Sequence, residues 1–105
     1  MNLEDFLQPD TDTIKALIRR RRAQMLIHSC LYYEMSESIV SDHQWQAWAD
    51  ELEKLQKDNP DCCNIKFFDR EFFDWDGSTG NHLPHRHPWV YGKSEYILEL
   101  HNKRK

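Results

Sequence analysis

Aromatic and acidic residues lie on both sides of one short polar stretch, 35–40, in the first half of the chain. The set consists of Tyr32, Tyr33, Asp42, Trp45 and Gln46. Aromatic rings offer stacking faces to a flat heterocycle and attract a positively charged one. A carboxylate can accept hydrogen bonds from ribose hydroxyls. These residues therefore predict a surface that binds a flat, charged small molecule.

A structural interpretation of the same residues stays open. Tyr32 and Trp45 fall on apolar stripes that would face the core of a helical protein. Asp42 would serve the positive end of a helix dipole. If the rings are turned inward and sealed, no ligand surface remains.

Two helices must position this set. Thr11 and Asp12 are plausible N-caps, and residues at steps of three and four then predict one long helix that reaches about Tyr33. That stripe consists of Ile14, Leu17, Ile18, Arg21, Met25, His28 and Tyr32. Ser41 and Gln44 have the spacing of a capping box and predict the start of a second helix. Pro60 ends it, because the residue before a proline leaves helical geometry.

The second half of the chain is less regular. The segment 65–73 is compatible with a helix or with extended chain, because its apolar runs are too short for periodicity to decide. The segment 74–80 is predicted to be a loop. Pro88 suits the first position of a last helix, whose predicted buried face consists of Val90, Tyr91, Tyr96, Ile97 and Leu100. We therefore expect one mainly α domain over 1–105, with a helical hairpin at 11–59 and a looped region with a C-terminal helix at 60–105.

Three histidines in one segment raise the question of a metal site: His82, His85 and His87. Two of them have a spacing found in zinc sites, and Cys62 and Cys63 lie upstream. Pro84 and Pro88 stiffen this segment, and adjacent cysteines rarely both bind one metal. A histidine-rich surface loop is the favoured interpretation, and no metal site is predicted.

Charge and composition narrow the possible partners. The net charge is −4, so direct nucleic-acid binding is not expected. The run Arg19–Arg22 spreads around a helix, and a solvated face with Arg21 partly buried along its stem is favoured over a phosphate site. No signal peptide or window of about 18 apolar residues is visible, and the three cysteines indicate reduced thiols. We expect a cytoplasmic protein, acting inside a host cell, without membrane contact.

The motifs H-x-x-x-Y-Y, I-V-S-D-x-x-W and E-L-x-x-L-x-x-x-x-P run in order from Ile27 to Pro60. This stretch resembles the small N-terminal helical domain of bacterial NAD-dependent DNA ligases, which binds the nicotinamide mononucleotide half of NAD. The later D-W-D-G-S-T-G-N-H-L-P resembles the segment that follows this hairpin in small, stand-alone phage proteins described as ligase-related.

The resemblance implies positions for a binding site. Tyr32 and Tyr33 take the places of the family's aromatic pair, and Asp42 that of its acidic loop residue. Trp45 stands where the family has Tyr, and Gln46 where it has a second Asp. NAD or nicotinamide mononucleotide is thus the implied ligand, and no cofactor is required.

Ligase catalysis is not expected. It needs the lysine nucleophile of a Lys-x-Asp-Gly motif, and the near match here has Asp74 at that position. The resemblance implies a non-catalytic phage-type protein that contacts a nucleotide or a nucleotide-using host protein. The alternatives are a small phage inhibitor of a host nuclease or defence system, and a subunit that docks on a replication enzyme.

Overall fold

Three α-helices form the frame of the chain in the computed structural model, which describes residues 11–104. They are α1 (Thr11–Met35), α2 (Asp42–Asp58) and α3 (Pro88–Lys103), and a short 3-10 turn covers Pro60–Cys62. The described residues contain no strand, which confirms the predicted mainly α fold. Residue 105 and the segment 1–10, including its place in the predicted domain, lie outside the described residues.

Both ends of α2 have local hydrogen bonds of the kind that the sequence predicted. The Ser41 hydroxyl accepts a hydrogen bond from the Gln44 backbone N–H at 3.0 Å, which caps α2. At the other end the Asn59 N–H donates to the Leu55 carbonyl at 3.0 Å. Local capping therefore fixes the length of α2 and, with it, the distance over which the hairpin can pack.

The start of α3 is also as predicted, with Pro88 in its first turn. His87 precedes it, and its Nδ1 accepts a hydrogen bond from the Trp89 backbone N–H at 3.2 Å. This histidine supplies the side-chain acceptor that a helix start needs. The helix start thus combines a proline, which has no N–H that needs an acceptor, with a ring nitrogen that accepts the N–H of Trp89.

Helix α1 is the central element, because both other helices pack against it. Its buried positions are Ile18, Arg22, Met25, Leu26, Ser29, Cys30 and Leu31. This stripe is rotated from the predicted one, which counted Arg21, His28 and Tyr32 toward the core. Tyr32 is 57 % exposed, so its predicted place in the core is wrong.

The buried face of α3 also differs from the prediction. Val90 and Ser94 are fully buried, one turn apart. Tyr91 and Tyr96 lie off this stripe and remain 40 % and 56 % exposed. A small serine rather than a tyrosine lies at the contact with α1, where the Ser94 hydroxyl donates to the Val90 carbonyl at 2.8 Å.

The segment 65–73 forms neither a helix nor an extended strand but a series of turns. Lys66 and Phe68 have positive φ angles of 57° and 55°. The Asp69 carboxylate accepts hydrogen bonds from the backbone N–H groups of Ile65, Lys66 and Phe67 at 3.3, 3.0 and 3.4 Å. A carboxylate inside the turn thus replaces the backbone pairing that regular structure would provide.

Arg22 fastens this turn to the helices. It is 1 % exposed, and its Nε donates to the Gln56 side chain at 2.8 Å. Its two Nη atoms donate to Asp69 Oδ1 at 2.7 Å and to the carbonyls of Phe67 and Cys63 at 2.8 and 2.9 Å. Arg21 is partly buried, as predicted, but the arginine that organises the core is the next one in the chain.

None of the helices within 11–104 is both long enough and apolar enough to cross a membrane. The longest, α1, contains the four consecutive arginines of Arg19–Arg22 in its middle. Charge at that density is incompatible with a helix surrounded by lipid.

Candidate functional site

A cleft of about 260 Å³ lies where α1 ends and α2 begins. All five residues singled out from the sequence line it: Tyr32, Tyr33, Asp42, Trp45 and Gln46. His28 and Ser29 line it from the preceding turn of α1, the link contributes 37–40, and a later loop contributes 78–80. The structure therefore brings the predicted set together in one place, and adds a wall from the second half of the chain.

Two rings of the cleft face solvent. Tyr32 is 57 % and Tyr33 is 47 % exposed, and the two rings meet edge to face at 4.9 Å between centroids. Trp45 is partly buried and lies 6.3 Å from the Trp75 ring. Neither tyrosine ring is sealed in the core, so each keeps exposed ring surface that a ligand can contact.

Tyr33 is held in place by residues from the second half of the chain. Its ring stacks on the buried His85 ring at 5.3 Å and within 9° of parallel. Its hydroxyl lies 3.4 Å from Thr79 Oγ1. His85 Nε2 lies 2.8 Å from the Gly80 carbonyl oxygen, so the same histidine supports both the tyrosine and the loop beside it.

The charged side chains of the cleft are all acidic. Asp42 and Glu37 line it, and within the described range 11–104 its wall contains no Lys or Arg. Asp42 lies in the first turn of α2 and is exposed. Carboxylates next to the negative faces of aromatic rings favour a positively charged occupant over an anionic one.

Gln46 lines the cleft, but its amide is already engaged. Its Nε2 donates to the Gly77 carbonyl at 2.8 Å and to Asp50 Oδ1 at 2.9 Å. Gly77 has a φ of +74°, a conformation that glycine adopts without strain. Gln46 therefore holds the 76–80 loop against α2, and only its side-chain oxygen is left for another partner.

His28 and Ser29 form the cleft floor, and the sequence did not single them out as ligand contacts. Ser29 is 2 % exposed, and among residues 11–104 neither its hydroxyl nor His28 Nδ1 has a hydrogen-bond partner. Burial lowers the pKa of the His28 imidazole, so this ring is neutral at pH 7. The helical spacing of four to Tyr32 and Tyr33 was the signal that could have placed both residues on the cleft side.

Gly80 allows the loop to close over this floor. A Cβ atom at this position would overlap Ser29 Oγ and would lie 3.3 Å from the Trp45 ring. The constraint is one of space, because the loop backbone passes directly over the Ser29 side chain. A glycine is therefore required here for the third wall of the cleft to reach α1.

The three histidines of the HLPHRHP segment do not converge on one point. His82 is exposed beside the Trp75 ring at 6.1 Å, His85 is buried under Tyr33, and His87 caps α3. No group of three or more His, Cys, Asp or Glu residues within 11–104 could hold a metal ion. Each of the three thus has its own packing or capping contact.

Asp76, in the same loop, bonds to its own turn. Its Oδ1 accepts hydrogen bonds from the Ser78 backbone N–H at 2.9 Å and from the Ser78 hydroxyl at 2.6 Å. These hydrogen bonds hold the pKa of Asp76 below its ordinary value. The carboxylate stabilises the loop that forms the third wall of the cleft.

Comparison of the chain with known protein families, with characterised proteins and with solved structures returns no match. The likeness to the ligase domain is therefore carried by the motifs between Ile27 and Pro60 alone. The cleft is interpreted below from its own geometry and charge together with those motifs.

Proposed function

We propose that the chain is a non-catalytic binding protein whose cleft holds the nicotinamide portion of NAD or nicotinamide mononucleotide. One observation carries the proposal. Five residues that lie within fourteen positions of one another, matched to the ligase domain by residue type, order and spacing, line one open cleft. The hairpin brings them near one another because they flank its link, and the cleft between them leaves room for an occupant.

The cleft offers interactions for the nicotinamide and ribose parts of this ligand, whose phosphate groups would lie outside its acidic wall. The exposed faces of Tyr32 and Tyr33 suit a flat, positively charged ring, with a cation–π attraction of ~0.5–2 kcal/mol. The Asp42 carboxylate lies at the edge of the cleft, where it can accept hydrogen bonds from ribose hydroxyls. Trp45 keeps a ring where the ligase domain has Tyr, whereas Gln46 exchanges a carboxylate for an amide that serves the protein's own loop.

The proposed role is binding without chemistry. Asp74 stands where the ligase motif has its lysine nucleophile, and it is exposed at the end of a turn. A carboxylate cannot form the phosphoramide bond of that reaction. In this proposal the protein retains the ligand-holding part of the ligase domain and none of its catalytic groups.

Calorimetry with NAD and with nicotinamide mononucleotide tests the proposal. Asp42→Asn should weaken binding about tenfold, because hydrogen bonds to a charged acceptor are the stronger ones. Tyr32→Leu should weaken it about threefold to tenfold through loss of the ring. Asp58→Asn, at the far end of α2, is the matched control and should bind as the unchanged protein does.

Two results would overturn the proposal. One is the absence of heat from both ligands at millimolar concentration. The other is binding that survives Asp42→Asn and Tyr32→Leu without change, since the ligand would then occupy another site.

A second candidate function, inhibition of a host nuclease or defence protein by direct contact, is favoured by one different residue. Phe73 is 89 % exposed and does not line the cleft. Large exposed aromatic side chains are typical anchors of protein interfaces. If this function holds, a nuclease captured from a bacterial lysate should be lost with Phe73→Ala and retained with Asp42→Asn.

A further inference from the structure

The cleft floor contains two polar atoms, Ser29 Oγ and His28 Nδ1, that have no hydrogen-bond partner in the described part of the chain. Buried polar atoms in folded proteins nearly always have a hydrogen-bond partner, and each exception requires an explanation. Both atoms belong to residues that line the cleft. Both atoms therefore lie next to the space that an occupant of the cleft would fill.

A second buried serine has a hydroxyl that is hydrogen-bonded within the protein. Ser94 is fully buried against α1, and its hydroxyl donates to the Val90 carbonyl one turn earlier in its own helix, at 2.8 Å. Ser29 also lies within a helix but makes no such bond. The difference sets Ser29 apart from a serine whose role is internal.

The chemistry of the two atoms defines their partner. A serine hydroxyl donates one hydrogen bond and accepts others, and a neutral imidazole nitrogen does one or the other. A primary carboxamide has both an N–H donor and a carbonyl acceptor, and it carries no charge. A carboxylate could only accept, and it would add a third negative charge next to Asp42 and Glu37.

We propose that Ser29 Oγ and His28 Nδ1 bind the carboxamide of a nicotinamide-type ring, so that the cleft selects flat, cationic heterocycles with a neutral amide substituent. This inference rests on the proposed function and specifies which end of the ligand enters the cleft. The rings of Tyr32 and Tyr33 bind the charged heterocycle, and the floor recognises its substituent.

Three small 1-methylpyridinium compounds separate the contribution of the substituent from that of the ring: the cations 1-methylnicotinamide and 1-methylpyridinium, and the zwitterion 1-methylpyridinium-3-carboxylate. In the unchanged protein, the amide should bind about fivefold to tenfold more tightly than either of the others, as expected for one or two net hydrogen bonds. Titration followed by calorimetry or by NMR shifts of the Tyr32 and Tyr33 rings measures each affinity.

Ser29→Ala tests the floor directly. It should reduce the preference for 1-methylnicotinamide over 1-methylpyridinium to about twofold or less, while the affinity for 1-methylpyridinium stays the same. Ser94→Ala is the matched control, since it makes the same change at a serine that does not line the cleft. This variant should keep the full preference.

Thermal unfolding separates a ligand-binding role from a structural one. Ser29→Ala removes a hydroxyl without a partner, so its melting temperature should stay the same or rise. Ser94→Ala removes a satisfied hydrogen bond, so its melting temperature should fall. If Ser29→Ala melts at a lower temperature than Ser94→Ala, the Ser29 hydroxyl is internally bonded and the inference is wrong.

The remaining outcomes distinguish this inference from the proposed function. If 1-methylpyridinium and 1-methylnicotinamide bind equally well, or if Ser29→Ala weakens both alike, the floor does not recognise the amide and the inference fails while the proposed function stands. If neither these cations nor NAD and its mononucleotide bind, both are overturned together.

Discussion

Two buried polar sites lie two turns apart on the same face of α1, and they are built in opposite ways. At Arg22 each of the three guanidinium nitrogens donates to the protein, to side chains and carbonyls from three separate segments. At Ser29 the buried hydroxyl has no hydrogen-bond partner among the residues that the structure describes. The Arg22 site is thus satisfied by hydrogen bonds within the protein, whereas the Ser29 site keeps unused hydrogen-bonding capacity beside the cleft.

The hydrogen-bond partners separate Arg22, which stabilises the fold, from Ser29, for which we propose a role in binding. A satisfied arginine fixes the geometry of the chain around it, and its removal leaves several acceptors unpaired. An unsatisfied serine costs the free protein stability and is retained only where something compensates. Burial alone does not distinguish Arg22 from Ser29, whereas their hydrogen-bond partners do.

The largest effect is expected at the Arg22 site. Arg22→Met should destabilise the protein by about 2–4 kcal/mol, because two backbone carbonyls and the partly buried side chains of Asp69 and Gln56 lose their donor. Urea unfolding followed by circular dichroism measures the change. Arg20→Met, at an exposed position of the same helix, should change the free energy of unfolding by less than about 0.5 kcal/mol. Equal effects of the two substitutions would contradict the role assigned to Arg22.

A smaller effect is expected at the Ser29 site. Gly80→Ala should lower the free energy of unfolding by about 1–3 kcal/mol, because its Cβ overlaps Ser29 and the loop must move. The same change at Gly92, where a Cβ meets nothing within 4 Å, should raise it by about 0.5–1 kcal/mol. The two variants differ only in position, so a loss of stability at both would show that the close approach of the loop is not the cause.

The smallest expected effect is the part of the pH dependence of the free energy of unfolding that comes from Asp69, the partner of Arg22. Burial would raise the pKa of Asp69, but the hydrogen bonds from Arg22 and from the backbone of Lys66, Ile65 and Phe67 outweigh it and hold that pKa below its ordinary value. A lowered pKa in the folded state stabilises the protein at neutral pH. That stabilisation is lost as the pH falls below about 4 and through the folded value.

Asp69→Asn should therefore give a shallower loss of stability between pH 5 and pH 2 than the unchanged protein does. Arg22→Met should flatten the same part of the curve, since it removes the main group that lowers the pKa. Thermal unfolding across this range checks both variants. A slope as steep as that of the unchanged protein in both would show that another carboxyl group is responsible.

The helical hairpin was predictable because its determinants are local. Ser41 and Gln44 are three residues apart, Asn59 and Pro60 are adjacent, and such pairs fix the ends of a helix wherever it lies. The predicted cleft residues lie close together because they flank the link between these two helices. A short link between two capped helices leaves little choice about which residues meet across it.

What the sequence did not reveal depends on distant partners. Arg22 is buried because Asp69 and the carbonyl of Phe67 come back to it from more than forty residues away. The turns of 65–73 exist because a carboxylate bonds their backbone, which no periodicity can indicate. The floor at Ser29 became visible only once the loop around Gly80 was in place.

Because Thr79 and Gly80 come from beyond the stretch that resembles the ligase domain, the hairpin by itself contains only part of the cleft wall. Transplanting 11–59 onto another scaffold would carry over Tyr32 and Asp42 but would uncover Ser29 and release Tyr33 from His85. Any ligand selectivity of this cleft would therefore depend on residues from both halves of the folded chain.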